Sequence, residues 1–483
     1  MLQIRFDNTY ARDMEGLYVP WQGIKAPAPE MILLNRALAE ELGLDPDALQ
    51  SPQGLAMLTG SDMPEGAHPL AMAYAGHQFG GFSPQLGDGR ALLVGEVIDR
   101  HGTRRDIHLK GSGRTPFSRG GDGKAALGPV LREYIVGEAM HALGVPTTRA
   151  LAAVATGDTV YRETPLPGAV LARVAASHLR VGSFQFLLAR GDHARLRRLA
   201  DYAIDRHYPD LAGRDGRYLG LLQAVADRQA ALVAQWMALG FVHGVMNTDN
   251  CTISGETIDY GPCAFIDGYD PQAVFSSVDH GGRYAYGNQP LLIQWNLARL
   301  AETLLPLIAP DNPEEALPDA RAVIDGVPLR YAETRRARFG AKLGIAAPGQ
   351  RDEALIDGYL ALLAEVRADF TQSFRALTPA ASGDDSALRA HLGAAKGLDD
   401  WLAQWRGRIG TGSAMVMGAA NPVYIPRNHL VEGALADAHD GNLETTRRLL
   451  DALSRPYTER EGREPYAGPA PSDFGPYVTF CGT

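Results

Sequence analysis

Cysteine is nearly missing from this sequence: Cys251, Cys263 and Cys481 are the only three in 483 residues. So few, with no CxxC pair, exclude a disulfide framework and a thiolate zinc site and suit a reducing compartment. Long apolar runs are missing as well. No uncharged stretch reaches the ~18 residues needed to span a bilayer. The start, Met1-Leu2-Gln3-Ile4-Arg5-Phe6-Asp7, has neither the basic segment nor the apolar core of a secretory signal. A cytoplasmic protein without membrane contact is expected. Positive charge is in deficit: 46 Lys and Arg against 56 Asp and Glu give a formal net charge of −10. With no basic block either, nucleic acid is not an expected partner. H-E-x-x-H and G-x-S-x-G do not occur, which removes two common hydrolase signatures. His77, His178, His193 and His280 stand singly.

What is present is an ordinary globular composition, 45% hydrophobic and 21% charged, in a chain long enough for two or three packed lobes. No repeat of fixed period occurs. Up to about Val174, glycine turns separate short strand-like runs; from Gly182 onward, long amphipathic helical patterns dominate. This predicts an α+β protein, a mixed lobe followed by a mainly helical one. Arg90–Val97 and Asp106–Lys110 read as a hairpin around Asp99-Arg100-His101-Gly102. Pro129–Leu143 reads as a helix stopped by Gly144-Val145-Pro146, and Ala150–Val154 and Ala169–Val174 as strands. In the second part, Leu219–Leu239 reads as a helix ended by Gly240, short strands at Cys251–Ile253 and Glu256–Ile258 as a hairpin around Ser254-Gly255, and Pro290–Leu307 as a buried helix. Thr378–Asp385 and Arg455–Gly475 are the loose segments.

This order, with His243-Gly244-Val245-Met246-Asn247-Thr248-Asp249-Asn250 and then Asp259-Tyr260-Gly261, has the spacing of the kinase H-x-D, its Asn after four intervening residues, and the DFG triplet. Val245 stands where the catalytic Asp belongs and cannot accept a proton. Asn250 and Asp259 keep the oxygen donors a hard cation wants, and Asp249 adds a carboxylate beside them. Alone, Asp249 and Asn250 read better as an Asx turn and Asp259-Tyr260-Gly261 as another turn; together, at this spacing, they point to metal–nucleotide binding with altered base chemistry. Asp259→Ala is expected to abolish activity with the fold retained, because a polar loop residue contributes little to a core. Lys110 ends a predicted strand and Glu133 lies on the following helix, the kinase arrangement of a phosphate lysine and its orienting carboxylate; Glu138 is the rival partner. Two glycine turns, Gln85–Arg90 and Arg119–Lys124, suit backbone approach to phosphates, although neither completes GxGxxG or a P-loop.

Tyr74-Ala75-Gly76-His77-Gln78-Phe79-Gly80, Leu86-Gly87-Asp88-Gly89-Arg90, Leu109-Lys110-Gly111-Ser112-Gly113-Arg114-Thr115-Pro116-Phe117-Ser118-Arg119 and Gly244–Asn250 with Asp259-Tyr260-Gly261-Pro262 resemble the selenoprotein O (YdiU) family over nearly the whole chain. The resemblance implies a protein-kinase-like two-lobed fold that binds ATP turned around and transfers AMP to Ser, Thr or Tyr hydroxyls of other proteins, with Mg²⁺ or Mn²⁺. It assigns Asp249 as proton acceptor, Asn250 and Asp259 as metal ligands, and Lys110 as a phosphate contact backed by Glu133. Gly87, Gly89, Arg90, Asp122, Gly123, Arg173 and Arg180 become further nucleotide contacts. The expected divisions are an N-terminal extension packed on the mixed lobe (1–70), that lobe (71–178), the helical lobe (179–455) and a tail carrying Cys481 (456–483), in a monomer. Many members have selenocysteine where Cys481 stands, and some join it to a cysteine in the loop after the DFG-like triplet; that loop here, Phe275-Ser276-Ser277-Val278-Asp279-His280, has none. An accessible, redox-active Cys481 is expected. A nucleotide-binding scaffold without activity, UMP transfer and ordinary phosphotransfer are the alternatives.

Overall fold

The computed structural model describes residues 3–479. Its strands are β1 (Tyr18–Pro20), β2 (Glu30–Leu34), β3 (Leu70–Met72), β4 (Gly76–Gln78), β5 (Gly81–Ser83), β6 (Ala91–Ile98), β7 (Arg104–Lys110), β8 (Ala125–Ala126), β9 (Arg149–Tyr161) and β10 (Pro165–Ala175). β4 and β5 pair only with each other. The others form one antiparallel sheet in the order β1-β3-β6-β7-β10-β9-β2, with β8 against β10. The predicted hairpin is β6 and β7, and the two later strands, β9 and β10, run longer than their apolar centres suggested.

Alternation along β7 and β10 decides what each face does. Ile107, Leu109, Val170, Ala172 and Val174 point to one side, where they pack with Leu38, Leu49 and Leu58 from the segment that precedes β3. The register sets Lys110 opposite Leu171 and His108 opposite Arg173, so Lys110, His108 and Arg173 share the other face. The Leu127–Ala142 helix covers part of that face through Leu131 and Tyr134 against Ala153 and Leu171, and Val431, Leu449 and Leu453 pack behind it. Three polar side chains are thus held on a face that is otherwise core.

The Arg217–Leu239 helix ends at Gly240, whose φ of 72° is the left-handed cap that glycine adopts without strain. β11 (Phe241–Val242) then pairs with β12 (Ala264–Phe265), enclosing the loop that carries residues 243–262. The hairpin predicted inside that loop does not form. Thr252 bridges to Arg180 and Thr257 to Thr147 instead, because the backbone groups of a short segment go to whichever neighbour is held opposite them. Gln289–Ile308 is the predicted buried helix. Of the segments expected to be loose, Thr378 to Ala380 end a helix, and Glu464–Tyr466 forms a single 3₁₀ turn. Among the described residues no helix is long and apolar enough to cross a membrane.

Candidate functional site

A cleft of about 550 Å³ opens beside the polar end of β7 and β10 and is lined by Gly87, Gly89, Arg90, Lys110, Asp122 and Gly123 from the sheet side. Arg173, Arg180, Asp249, Asn250 and Asp259 line it too. Glu133 stands behind this wall, buried on the Leu127–Ala142 helix.

Its centre is an ion cluster. Lys110 Nζ donates to Glu133 Oε2 at 2.5 Å and Asp259 Oδ1 at 3.0 Å. Arg173 Nη1 donates to Glu133 Oε1 at 3.0 Å and Asp259 Oδ1 at 2.6 Å. Arg180 Nη1 donates to Asp259 Oδ2 at 2.8 Å and to the Asp249 carbonyl at 2.6 Å. Glu138, the rival for Lys110, is taken by Arg149 at 2.8 Å. Burial alone would raise the carboxyl of Asp259, but Arg173, Lys110 and Arg180 together hold it well below the usual range. Burial likewise opposes Glu133, and Lys110 and Arg173 outweigh it. Asp259 sits at φ 61°, a left-handed conformation that costs a non-glycine residue energy and that such a cluster can hold in place. Arg180, which on sequence alone could have been a surface residue at a helix start, is buried, with its guanidinium 4.7 Å from the Tyr74 ring centroid.

Asp249 differs from its neighbours. Burial pushes its carboxyl up to about 6, against the pull of Arg180, and its buried Oδ1 has no hydrogen-bond partner. Asn250 donates Nδ2 to the Val245 carbonyl at 3.0 Å, which leaves its amide oxygen for another ligand. His243 Nε2 meets the Ile258 carbonyl at 2.9 Å, tying the start of the loop to the residue before Asp259. The donors around Asp249, Asn250 and Asp259 are all oxygen, with an orphaned carboxylate oxygen among them, and that set suits a hard divalent cation. Among the described residues no three His, Cys, Asp or Glu converge as a complete metal site, so such an ion would draw further oxygens from a bound phosphate.

The glycine turns have a packing reason. A Cβ on Gly87, at φ 78°, would lie 2.4 Å from the Phe117 ring, and one on Gly123 would lie 2.1 Å from the Gly113 carbonyl oxygen. Arg90 and Arg119 line the cleft with no ion pair among the described residues; Asp122 is held by Arg162 at 2.9 Å.

Several residues here were given no role by the sequence. The β4–β5 hairpin clasps the catalytic-type loop: the His77 amide donates to Thr248 Oγ1 at 2.7 Å, Gln78 Nε2 to Asp249 Oδ2 at 3.3 Å and the Phe79 amide to Asn247 Oδ1 at 3.2 Å. Gly76 leaves room for the Asp249 carboxylate, since a Cβ there would lie 2.6 Å from Oδ1. Behind Arg173, His108 Nδ1 accepts from its Nε at 3.2 Å and His108 Nε2 meets Asp88 at 3.0 Å. His108 also stacks on His178 at 4.1 Å. Gly76, His77, Gln78 and Phe79 stood in one motif run as marks of resemblance without an assigned role, whereas His108 had no mark at all.

Cys251 and Cys263 are free and buried, and burial pushes the Cys263 thiol up to about 12. Cys481 lies outside the described residues. Thr479 nevertheless reaches the loop in question, bridging Ser276 and donating its amide to the Phe275 carbonyl at 2.7 Å.

A family model described as "Protein adenylyltransferase SelO" matches residues 1–454. The chain is similar to a protein named protein nucleotidyltransferase YdiU from Cereibacter sphaeroides, 60% identical over 484 residues, covering 100% of both chains. A protein of the same name from Mycolicibacterium smegmatis is 56% identical over 486 residues, covering 99% of this chain and 98% of the relative. One from Chromobacterium violaceum is 56% identical over 478 residues, covering 97% and 100%.

Proposed function

The chain belongs to the SelO family, and from that premise we propose that it is a protein nucleotidyltransferase that moves AMP from ATP onto Ser, Thr or Tyr hydroxyls of other proteins. In this reading the sheet and the Leu127–Ala142 helix are the smaller half of a kinase-like two-lobed fold, and the helices after Val181 are the larger half.

The observation that carries the proposal is the pairing of Val245, apolar at the position of a kinase base, with Asp249, whose carboxylate keeps an unpartnered oxygen in the same cleft. Lys110, Arg173 and Arg180 bind the phosphates of ATP, with Arg90 and Arg119 as further cationic contacts; anionic oxygens are what such a cluster is built to take. Glu133 keeps Lys110 and Arg173 aimed when phosphate displaces them from Asp259. Asn250 and Asp259 would hold Mg²⁺ or Mn²⁺, which supplies charge for the phosphate oxygens when bound. Asp249 takes the proton of the incoming hydroxyl as its oxygen bonds to the α-phosphorus; the bond to the bridging oxygen breaks and pyrophosphate leaves.

The test offers the protein ATP labelled on the α- or the γ-phosphate, and UTP labelled on the α-phosphate, with each metal and a generic protein acceptor. Label from the α position alone, with mass spectrometry showing a whole added nucleotide, is the expected result. Transfer of γ-label identifies a kinase. Transfer from UTP in preference to ATP makes the donor UTP, and no transfer leaves a nucleotide-binding scaffold.

A further inference from the structure

On the far side of the loop-bearing Arg217–Leu239 helix lies a second cavity, of about 450 Å³. The C-terminal ends of that helix and of Val327–Lys342 form it together with the Ser413–Ala420 helix. Leu143, Val145, Ala238, Leu239, Val416 and Ala420 make its walls apolar.

One side chain is out of keeping with them. Lys342 lines the cavity and is only 2% exposed. Its Nζ lies 4.2 Å from the Phe374 ring centroid and 5.3 Å from that of Phe370. Among the described residues its ammonium has no carboxylate partner; its backbone carbonyl accepts from Asn421 Nδ2 at 2.9 Å. An ammonium taken out of water without a counter-ion is among the most costly groups a fold can carry, and ring faces return only part of that cost. Burial accordingly pushes the amine down to about 7. A second cation points the same way: Arg338 stands exposed at the edge of the cavity with no ion pair among the described residues.

We propose that this cavity binds a small monocarboxylate with an apolar tail, the carboxylate on Lys342 and the tail along Leu239 and Val416. A single buried cation matches a single negative charge. A phosphate would need several converging donors, and a neutral lipid would leave the ammonium unpaired. The volume lies within the range of pockets that enclose small organic ligands. The site is separate from the cleft and does not depend on the activity proposed for it.

Calorimetry on the full chain with decanoate and decanol, each below its aggregation concentration, tests this. Decanoate is expected to bind at least tenfold more tightly than decanol, and Lys342→Met is expected to erase that preference while leaving the protein folded. Equal binding of the two by the unaltered protein, a preference that survives Lys342→Met, or no binding of either overturns the proposal. Ala420→Phe, which fills the cavity and keeps the charge, covers the case in which Lys342→Met does not fold: it must lose decanoate, and retained binding overturns the proposal.

Discussion

Asp259 is gripped by three cations, so replacing it does more than empty one position in the cleft. Sequence reasoning treated it as a loop residue whose loss the fold would absorb; in the structure, Asp259→Ala leaves the buried Arg173 with Glu133 alone and the buried Arg180 with no ion-paired carboxylate. Breaking a buried pair of this kind costs about 3–5 kcal/mol. The expected result is loss of transfer together with a clearly lowered denaturant midpoint, whereas Asp259→Asn, which still accepts hydrogen bonds, loses transfer with a smaller stability change. Equal midpoints for the alanine variant and the parent would contradict the cluster's structural role. Lys342 gives a prediction of opposite sign. Its folded value of about 7 lies below the ordinary 10.5, so under pH 7 the amine is charged in both states and its burial penalty is full. The penalty fades as pH rises toward 10.5. Lys342→Met should therefore stabilise the protein by about 3–5 kcal/mol at pH 6 and by much less at pH 10, read from urea midpoints at the two pH values. The motif residues of the cleft could be picked out beforehand because their chemistry and spacing are unusual. Lys342 could not, since a lysine at the end of a helix is normally solvated and only the packing of distant segments buries this one.

At the scale of elements, β4–β5 sets the posture of the loop 247–249 from a distance of some 170 positions in sequence. A methyl group at Gly76 would press on Asp249 Oδ1 and on Leu86, 2.8 Å away. Gly76→Ala is expected to lower transfer at least tenfold while ATP binding, followed by nucleotide fluorescence, changes less than twofold. An equal loss of both would place the effect in the fold as a whole. The long strands and the helices at 127–142, 217–239 and 289–308 were readable because a sustained period of 2 or 3.6 survives any tertiary context. The hairpin expected at 251–258 was misread for the converse reason: two or three residues carry no period, and Thr252 and Thr257 pair with partners far away in sequence.

For the whole molecule, the imbalance of buried titrating groups sets how it responds to acid. Burial holds His178 and His207 down to about 3 and lowers His108 and His243 as well. Unfolded imidazoles take up protons near 6.5, so between that value and about 3 the unfolded chain binds more protons than the folded one, and stability falls as pH falls. His178 and His207 each contribute about 1.4 kcal/mol per pH unit in that window. Glu256, which burial raises to about 7, and Asp249 run the other way over the same window, so the imidazole share is read against a His207→Gln variant: from pH 7 to pH 5 the urea midpoint of the parent should fall relative to that of the variant, and an unchanged difference would mean that this imidazole is already charged in the folded state. The hairpin clasp also governs traffic. With His77, Gln78 and Phe79 bonded to Thr248, Asp249 and Asn247, the two walls of the cleft are stitched together at one edge, and swinging them apart would break every stitch at once. The turn Arg119–Lys124 carries no such stitch among the described residues, since Arg162 and Asp158, both on the sheet side, hold it, so any opening of the cleft costs least there.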